Sequence, residues 1–191
     1  LSQYSEIFDK CEFIILPIDE ILDNKEKLFI PREKIIAELP ELIYPKNEEA
    51  ISKKLQELKK IGINNGSAGN IGAVRLLQKE GFKIHGAHGL NVTNTAALEY
   101  YKSCGLKDTA LSFELSEKDI KNLSGTAQRG IYVYGYLPVM LMRACPQKDY
   151  SGCGNCKGKT HLTDRRGIKF PMICRSRNYS RQRSQSYSRL Y

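Results

Sequence analysis

GNIGAVRLLQKEGFKIHGAHGLNVTNTAALEYYKSCGLKDTALSFEL, residues 69–115, carries the alternation that decides the fold. Within it, IGAVRLLQKEG (71–81) has apolar residues at helical spacing and a glycine stop at Gly81. FKIHGAHGLNV (82–92) then reads as a strand, NTAALEYYKSCG (94–105) as a helix and DTALSFEL (108–115) as a strand again. Helical and β-type runs that trade places in this way are the mark of a parallel sheet covered by helices.

The same rhythm extends in both directions. Upstream, FIILPI (13–18), KIIAELPELIY (34–44) and a stretch around 62–68 read as strands. EEAISKKLQELKKIG (48–62) reads as a helix with Ile51, Leu55, Leu58 and Ile61 on one face. Downstream come a helix over SEKDIKNL (116–123), with Ser116 as its N-cap, and a strand over GIYVYGYL (130–137). The repeat is about 23 residues long, and two α/β architectures compete for it: an open doubly wound sheet, or a (β/α)8 barrel of TIM type, which needs eight strands and roughly 250 residues. This chain has strands for about half a barrel. A cut barrel leaves unpaired backbone at its edges, so a missing half or another chain is expected as a partner.

Composition agrees with a globular protein: 191 residues, 41% of them hydrophobic, suit one domain with a core. No run of 18 apolar residues appears, and LSQYSEIFDK at the start has neither a basic nor an apolar signal region. The expectation is a cytoplasmic protein that makes no use of a membrane. A first residue of Leu suggests a processed chain or a fragment.

Charge is uneven. Residues 143–191 hold twelve Lys or Arg against two Asp, a net of +10, which leaves eighteen basic and nineteen acidic residues in 1–142. A basic segment of this kind is either an ordinary solvated surface or a contact for an anionic partner such as nucleic acid. The end of the chain, RSRNYSRQRSQSYSRLY (175–191), has five Arg, five Ser, three Tyr and no acid, which reads as a disordered tail, with stacking on RNA as the functional alternative. The resulting division is a partial barrel over 1–142, a Cys-rich loop over 143–174 and the tail over 175–191.

The Cys-rich loop has the spacing Cys145-x7-Cys153-x2-Cys156-x17-Cys174. A C-x2-C pair lets two thiolates from one turn reach the same metal, and two more cysteines complete a four-thiolate set. Such a set suits tetrahedral zinc or an iron–sulfur cluster, and spacing alone does not separate them. Cys11 and Cys104 stand singly and read as ordinary buried residues. Because the loop follows the last predicted strand, it leaves the carboxyl edge of the sheet, where parallel α/β folds place ligands.

Other candidates are weaker. GSAGNIG (66–72) follows a strand and opens a helix but lacks G-x-G-x-x-G spacing, so it reads as a turn, with phosphate binding as the alternative. His85 and His88 are three apart on the predicted strand, which puts them on opposite faces and makes a poor metal pair. Asn91, Asn94 and Glu114 fall at strand ends on the presumed active edge; Glu114 could serve as acid or base and Asn91 could bind substrate, whereas Asn94 could equally cap a helix. No Ser/His/Asp, HExxH or Cys/His set appears at a recognisable spacing.

At GNIGAVRLLQKEGFKIHGAHGLNVTNTAALEYYKSCGL, LSFELSEKDIKNL, VYGYLPVMLMRACP and LTDRRGIKFPMIC the chain resembles the collagenase-like peptidase family, peptidase family U32, from about residue 34 to 175. The resemblance implies the C-terminal half of a (β/α)8 barrel, with the Arg/Ser tail departing from the family pattern. It also implies two activities. The family name implies peptide hydrolysis, whereas cluster-bearing relatives imply hydroxylation of RNA or a small aromatic. With the latter comes a [4Fe–4S] cluster, for which Cys145, Cys153, Cys156 and Cys174 would be the ligands, zinc being the alternative. A non-catalytic module stiffened by zinc is a third possibility.

Overall fold

The computed structural model describes residues 10–135, 137–142, 145, 146, 148, 152, 159–174 and 188–190. Two compact units divide the chain, residues 1–132 and 133–191.

The first unit is built on a six-stranded, all-parallel sheet: β1 (Ile14–Pro17), β2 (Ile35–Glu38), β3 (Asn65–Ala68), β4 (Lys83–Gly86), β5 (Leu106–Ala110) and β6 (Gln128–Gly130). Helices α1 (Ile18–Asp23), α2 (Pro45–Lys60), α3 (Ile71–Lys79), α4 (Thr95–Ser103) and α5 (Glu117–Asn122) alternate with the strands. This is the α/β fold that the periodicity predicts. Spatial order follows sequence order from β1 to β6 with no switch point, and β1 and β6 stand at the open edges of the sheet.

All five helices lie over one face. Ile18 and Ile21 of α1, Ile51, Leu55 and Leu58 of α2, Val74 and Leu77 of α3 and Leu98 of α4 form one apolar cluster with Ile35, Ala37 and Ile84 of the strands, and Ile120 of α5 packs against it. At about 1.5–3 kcal/mol for each fully buried aliphatic side chain, this cluster is the main source of the unit's stability. Gly66 belongs to it as an absence: a Cβ there would lie 2.4 Å from Leu77 Cδ2, so only glycine lets β3 approach α3 this closely. Ile36, although buried, is outside the cluster because strand alternation points it to the opposite face.

Two helices begin on asparagine caps of the same design. Asn70 Oδ1 accepts from Ala73 N and Asn94 Oδ1 accepts from Ala97 N, each at 2.8 Å, which satisfies one of the free N–H groups of the first turn. Asn94 is therefore a helix cap, as its alternative reading allowed. Ser116 heads α5 in a reciprocal capping box with Asp119, whose carboxyl is held below the usual range by the Ser116 hydroxyl and backbone N–H. Asn70→Ala and Asn94→Ala are each expected to cost about 1 kcal/mol of unfolding free energy, and the two costs should add because the caps serve different helices. Denaturant midpoints of both single variants and the double variant check this, and a double variant no weaker than either single would refute it.

Several predicted boundaries move. KIIAELPELIY is a strand only over Ile35–Glu38, since Pro40 cannot donate to a ladder. FKIHGAHGLNV is a strand only to Gly86, and His88–Leu90 form a 3-10 turn, so His88 is not on the strand with His85. DTALSFEL pairs earlier than predicted, over Leu106–Ala110, with one further bridge between Val92 and Leu111. GIYVYGYL does not extend the sheet: β6 ends at Gly130, and Ile131, Tyr132, Val133, Tyr134 and Leu137 are exposed. Among the described residues no further strand pairs with β6 on that edge, so those apolar residues have no ladder to join.

The second unit contains a four-stranded antiparallel sheet in the order β7 (Met140–Met142), β10 (Ser188–Leu190), β9 (Lys169–Cys174), β8 (Lys159–Thr163). Asp164 sets the β8–β9 turn: its Oδ1 accepts from Arg166 N and Ile168 N, both at 2.8 Å, while Gly167 takes a φ of 80°. Ser188–Leu190 pairs with both neighbours, a short strand within the segment that reads from composition as a disordered tail; residues 175–187 and 191 lie outside the described residues.

Candidate active site

The helix-free face of the parallel sheet is polar. Register partners place Glu38, Ser67, His85, Asp108 and Gln128 in one row across β2 to β6. Parallel strands covered on both faces are ordinarily apolar throughout, and barrel interiors favour branched aliphatic residues, so a polar row on one face is a departure that packing does not require. Glu38, Ser67 and His85 lie in the carboxyl-terminal halves of their strands, Asp108 is mid-strand and Gln128 opens β6.

A bulge assembles the centre of the row. Ile84 pairs with Leu106 but His85 pairs with Asp108, so Lys107 is the extra residue and Asp108 swings opposite His85. His85 Nδ1 lies 2.8 Å from Asp108 Oδ2, and His85 Nε2 lies 3.4 Å from Asn65 Oδ1 on the other side. Asn65 cannot present its amide nitrogen to the ring instead, because that nitrogen donates to the Glu33 carbonyl at 3.1 Å. The imidazole therefore has an acceptor at each nitrogen. The ring of Phe13 packs 5.3 Å from that of His85, and Lys107 Nζ stands over the Phe13 ring, 4.7 Å from its centroid. His85 is 4% exposed, Asn65 7% and Ser67 3%.

The loops that leave β4, β5 and β6 add a second group at the carboxyl edge. Asn91 holds a left-handed conformation, φ 49°, and its Oδ1 accepts from Ser112 Oγ at 2.5 Å. Ser112 Oγ in turn accepts from Glu114 N at 3.2 Å. Asn91 and Glu114 are thus brought to one place through Ser112, with both side chains exposed. His88, Phe113 and Tyr132 form a stack of rings alongside, with centroids 4.8–5.7 Å apart. Glu99 of α4 anchors the approach to β6: its carboxylate accepts from Thr126 N and Ala127 N at 2.8 and 3.1 Å, and those bonds hold it below the usual carboxylate range. GSAGNIG is divided among the end of β3, the turn at Gly69 and Asn70, and the start of α3, so its first glycine lies inside a strand.

Of the four loop cysteines, Cys145 is 5% exposed and packs with Met142, Leu162, Phe170 and Met172, while Cys174 ends β9. Cys153 and Cys156 lie outside the described residues. Among the described residues no group of three or more His, Cys, Asp or Glu is placed to hold a metal, and no helix is long and apolar enough to cross a membrane. Cys11 and Cys104 are free and half-buried.

Sequence reading weighed His85 only as a poor metal partner of His88 and passed over Asp108 and Ser67. The signal available was their spacing by about one βα repeat, which the topology converts into neighbouring strands. The bulge that pairs His85 with Asp108 has no sequence mark that we can name.

Parallel strands with helices over one face and a polar row on the other define an α/β protein. The chain belongs to peptidase family U32, whose family model matches residues 16–161. No curated protein and no solved structure matches it.

Proposed function

We propose that this U32 protein forms part of the wall of a (β/α)8 barrel, the remainder supplied by further strands at the open edges, and that it holds a [4Fe–4S] cluster through Cys145, Cys153, Cys156 and Cys174. Hydroxylation of RNA or of a small aromatic is the reaction this reading assigns to it. The sequential strand order of a barrel wall supports the first part. For the cluster, the supporting observation is Cys145: its thiol sits in a lining of Met, Leu and Phe side chains, beside the strand that ends at Cys174. A soft donor in a dry apolar shell suits thiolate-bound iron, where burial tunes potential and restricts water. When bound, the cluster would supply one-electron redox chemistry; the cysteines hold it, and the apolar shell shields it. Zinc is the competing occupant. The basic charge of residues 143–191 favours an anionic substrate such as RNA.

Peptide hydrolysis is the second reading. One observation favours it, the His85–Asp108 pair, an acid–base unit formed across two adjacent strands. Asn91 and Glu114 would line the same edge.

Anaerobic purification followed by a visible spectrum and metal analysis tests the first reading. We expect a brown protein that contains iron and sulfide, with metal content lowered about tenfold or more in Cys145→Ser and likewise in Cys153→Ser, Cys156→Ser and Cys174→Ser. A colourless protein with one zinc would sink the redox assignment.

A further inference from the structure

One buried member of the polar row has a side chain without a hydrogen-bond partner among the described residues. Ser67 is nine-tenths or more buried, and among the described residues its hydroxyl has no hydrogen-bond partner, although its backbone carbonyl accepts from Leu39 N. A buried hydroxyl left unsatisfied costs free energy, and an alanine would fill the position without that cost. Its neighbour in the row on the next strand is His85, and His85 is held from the far side by Asp108.

We propose that Ser67, His85 and Asp108 form an acyl-transfer centre: Ser67 the nucleophile, His85 the base, Asp108 the residue that orients His85, and the acyl group of a peptide the substrate. This rests on the second of the two readings above and is independent of the cluster. Three consecutive strands, β3, β4 and β5, supply the three groups in one register row on the helix-free face, where Ser67 and His85 are buried. The arrangement matches the roles of a nucleophile–base–orienter set. No hydrogen bond joins Ser67 to His85 here; Nε2 faces Asn65 across a long 3.4 Å contact. Asn65 and Ser67 are alternate residues of β3 and share a face, and Ser67 is the register partner of His85. Catalytic hydrogen bonds are commonly loose until substrate binds.

The balance closes with water as the only co-reactant. Ser67 Oγ bonds to the carbonyl carbon while its proton passes to His85 Nε2. The C–N bond then breaks, and that proton leaves with the amine. Water attacks the acyl-serine, gives up a proton through His85, and releases the carboxylic acid with Ser67 restored. Asn65 Oδ1, fixed by the Glu33 carbonyl, becomes useful at the moment Nε2 carries the proton, since an N–H there has an acceptor waiting.

A fluorophosphonate probe tests this directly on the full chain, in chelator so that metal content does not enter. The expected result is covalent labelling at one site, found by mass spectrometry on the peptide that contains Ser67. Labelling should vanish in Ser67→Ala, slow by tenfold or more in His85→Asn, and persist in Ser103→Ala, an exposed serine on α4. Thermal melts accompany each variant, and Ser67→Ala should melt no lower than the parent because the hydroxyl it removes has no partner. Absence of labelling, labelling that survives Ser67→Ala, an unchanged rate in His85→Asn, or a clear loss of stability in Ser67→Ala would overturn the proposal. None of these outcomes bears on whether the cysteines bind iron, so the two assignments fail separately.

Discussion

Leu77→Ala is expected to lower unfolding free energy by roughly 2–5 kcal/mol, and to do less damage in a chain that also carries Gly66→Ala. Leu77 is fully buried at the centre of the apolar cluster, and its δ-methyls fill the space above the glycine. Gly66→Ala alone places a methyl 2.4 and 2.9 Å from those two carbons, and a leucine with neighbours on all sides cannot withdraw, so a cost of about 1–3 kcal/mol is expected from overpacking. In the double variant the new methyl enters part of the cavity that the lost isobutyl group leaves. A double-mutant cycle by denaturant unfolding should therefore return a favourable interaction energy of about 1 kcal/mol or more. Simple additivity would mean that the glycine is not where the helix and strand are limited in their approach.

Gly89→Ala is the second large effect, and its cause differs in kind. A Cβ on Gly89 would lie 2.5 Å from the carbonyl oxygen of Gly69 and 3.2 Å from its carbonyl carbon. The obstacle is main chain, which cannot change rotamer, so one of the two loops at the carboxyl edge must move. We expect a loss of about 3 kcal/mol, at the upper end for overpacking. His88, next in the chain to Gly89, should shift with the loop and weaken its contacts with Phe113 and Tyr132, which the ring-proton NMR shifts of His88 would report. Gly69→Ala is the control: a Cβ there has nothing within 4 Å, and the expected change is within about 0.5 kcal/mol. If both variants melt alike, the close approach of the two loops is not a constraint.

The parallel sheet was legible in the sequence because it rests on period. Ile51, Leu55 and Leu58 at helical spacing, Gly81 as a stop, and β-type runs between the helices each state a local preference that tertiary packing reinforces. The caps were partly legible for the same reason: Ser116 was read as a cap outright, and Asn94 as one of two choices. Strand ends were not legible, because a strand continues only while an adjacent strand offers hydrogen bonds. GIYVYGYL has β-type composition throughout, yet β6 stops at Gly130 at the outer edge of the sheet. The site was least legible. Its core pair depends on Lys107 being skipped in the β4–β5 register, a one-residue event that composition does not record. The cysteine spacing, by contrast, is plain in sequence, while two of its four members lie outside the described residues.

Strand order that follows chain order has a further meaning for how such a sheet is made. Each strand pairs with the one synthesised before it, and the helix between them packs onto the face already begun. During synthesis the growing sheet then has a single advancing border, always the newest strand, and no pairing waits for a distant segment to emerge. Loop closures stay short at every step, which keeps the entropy cost of each addition small and limits how long an unpaired border is open to a wrong partner.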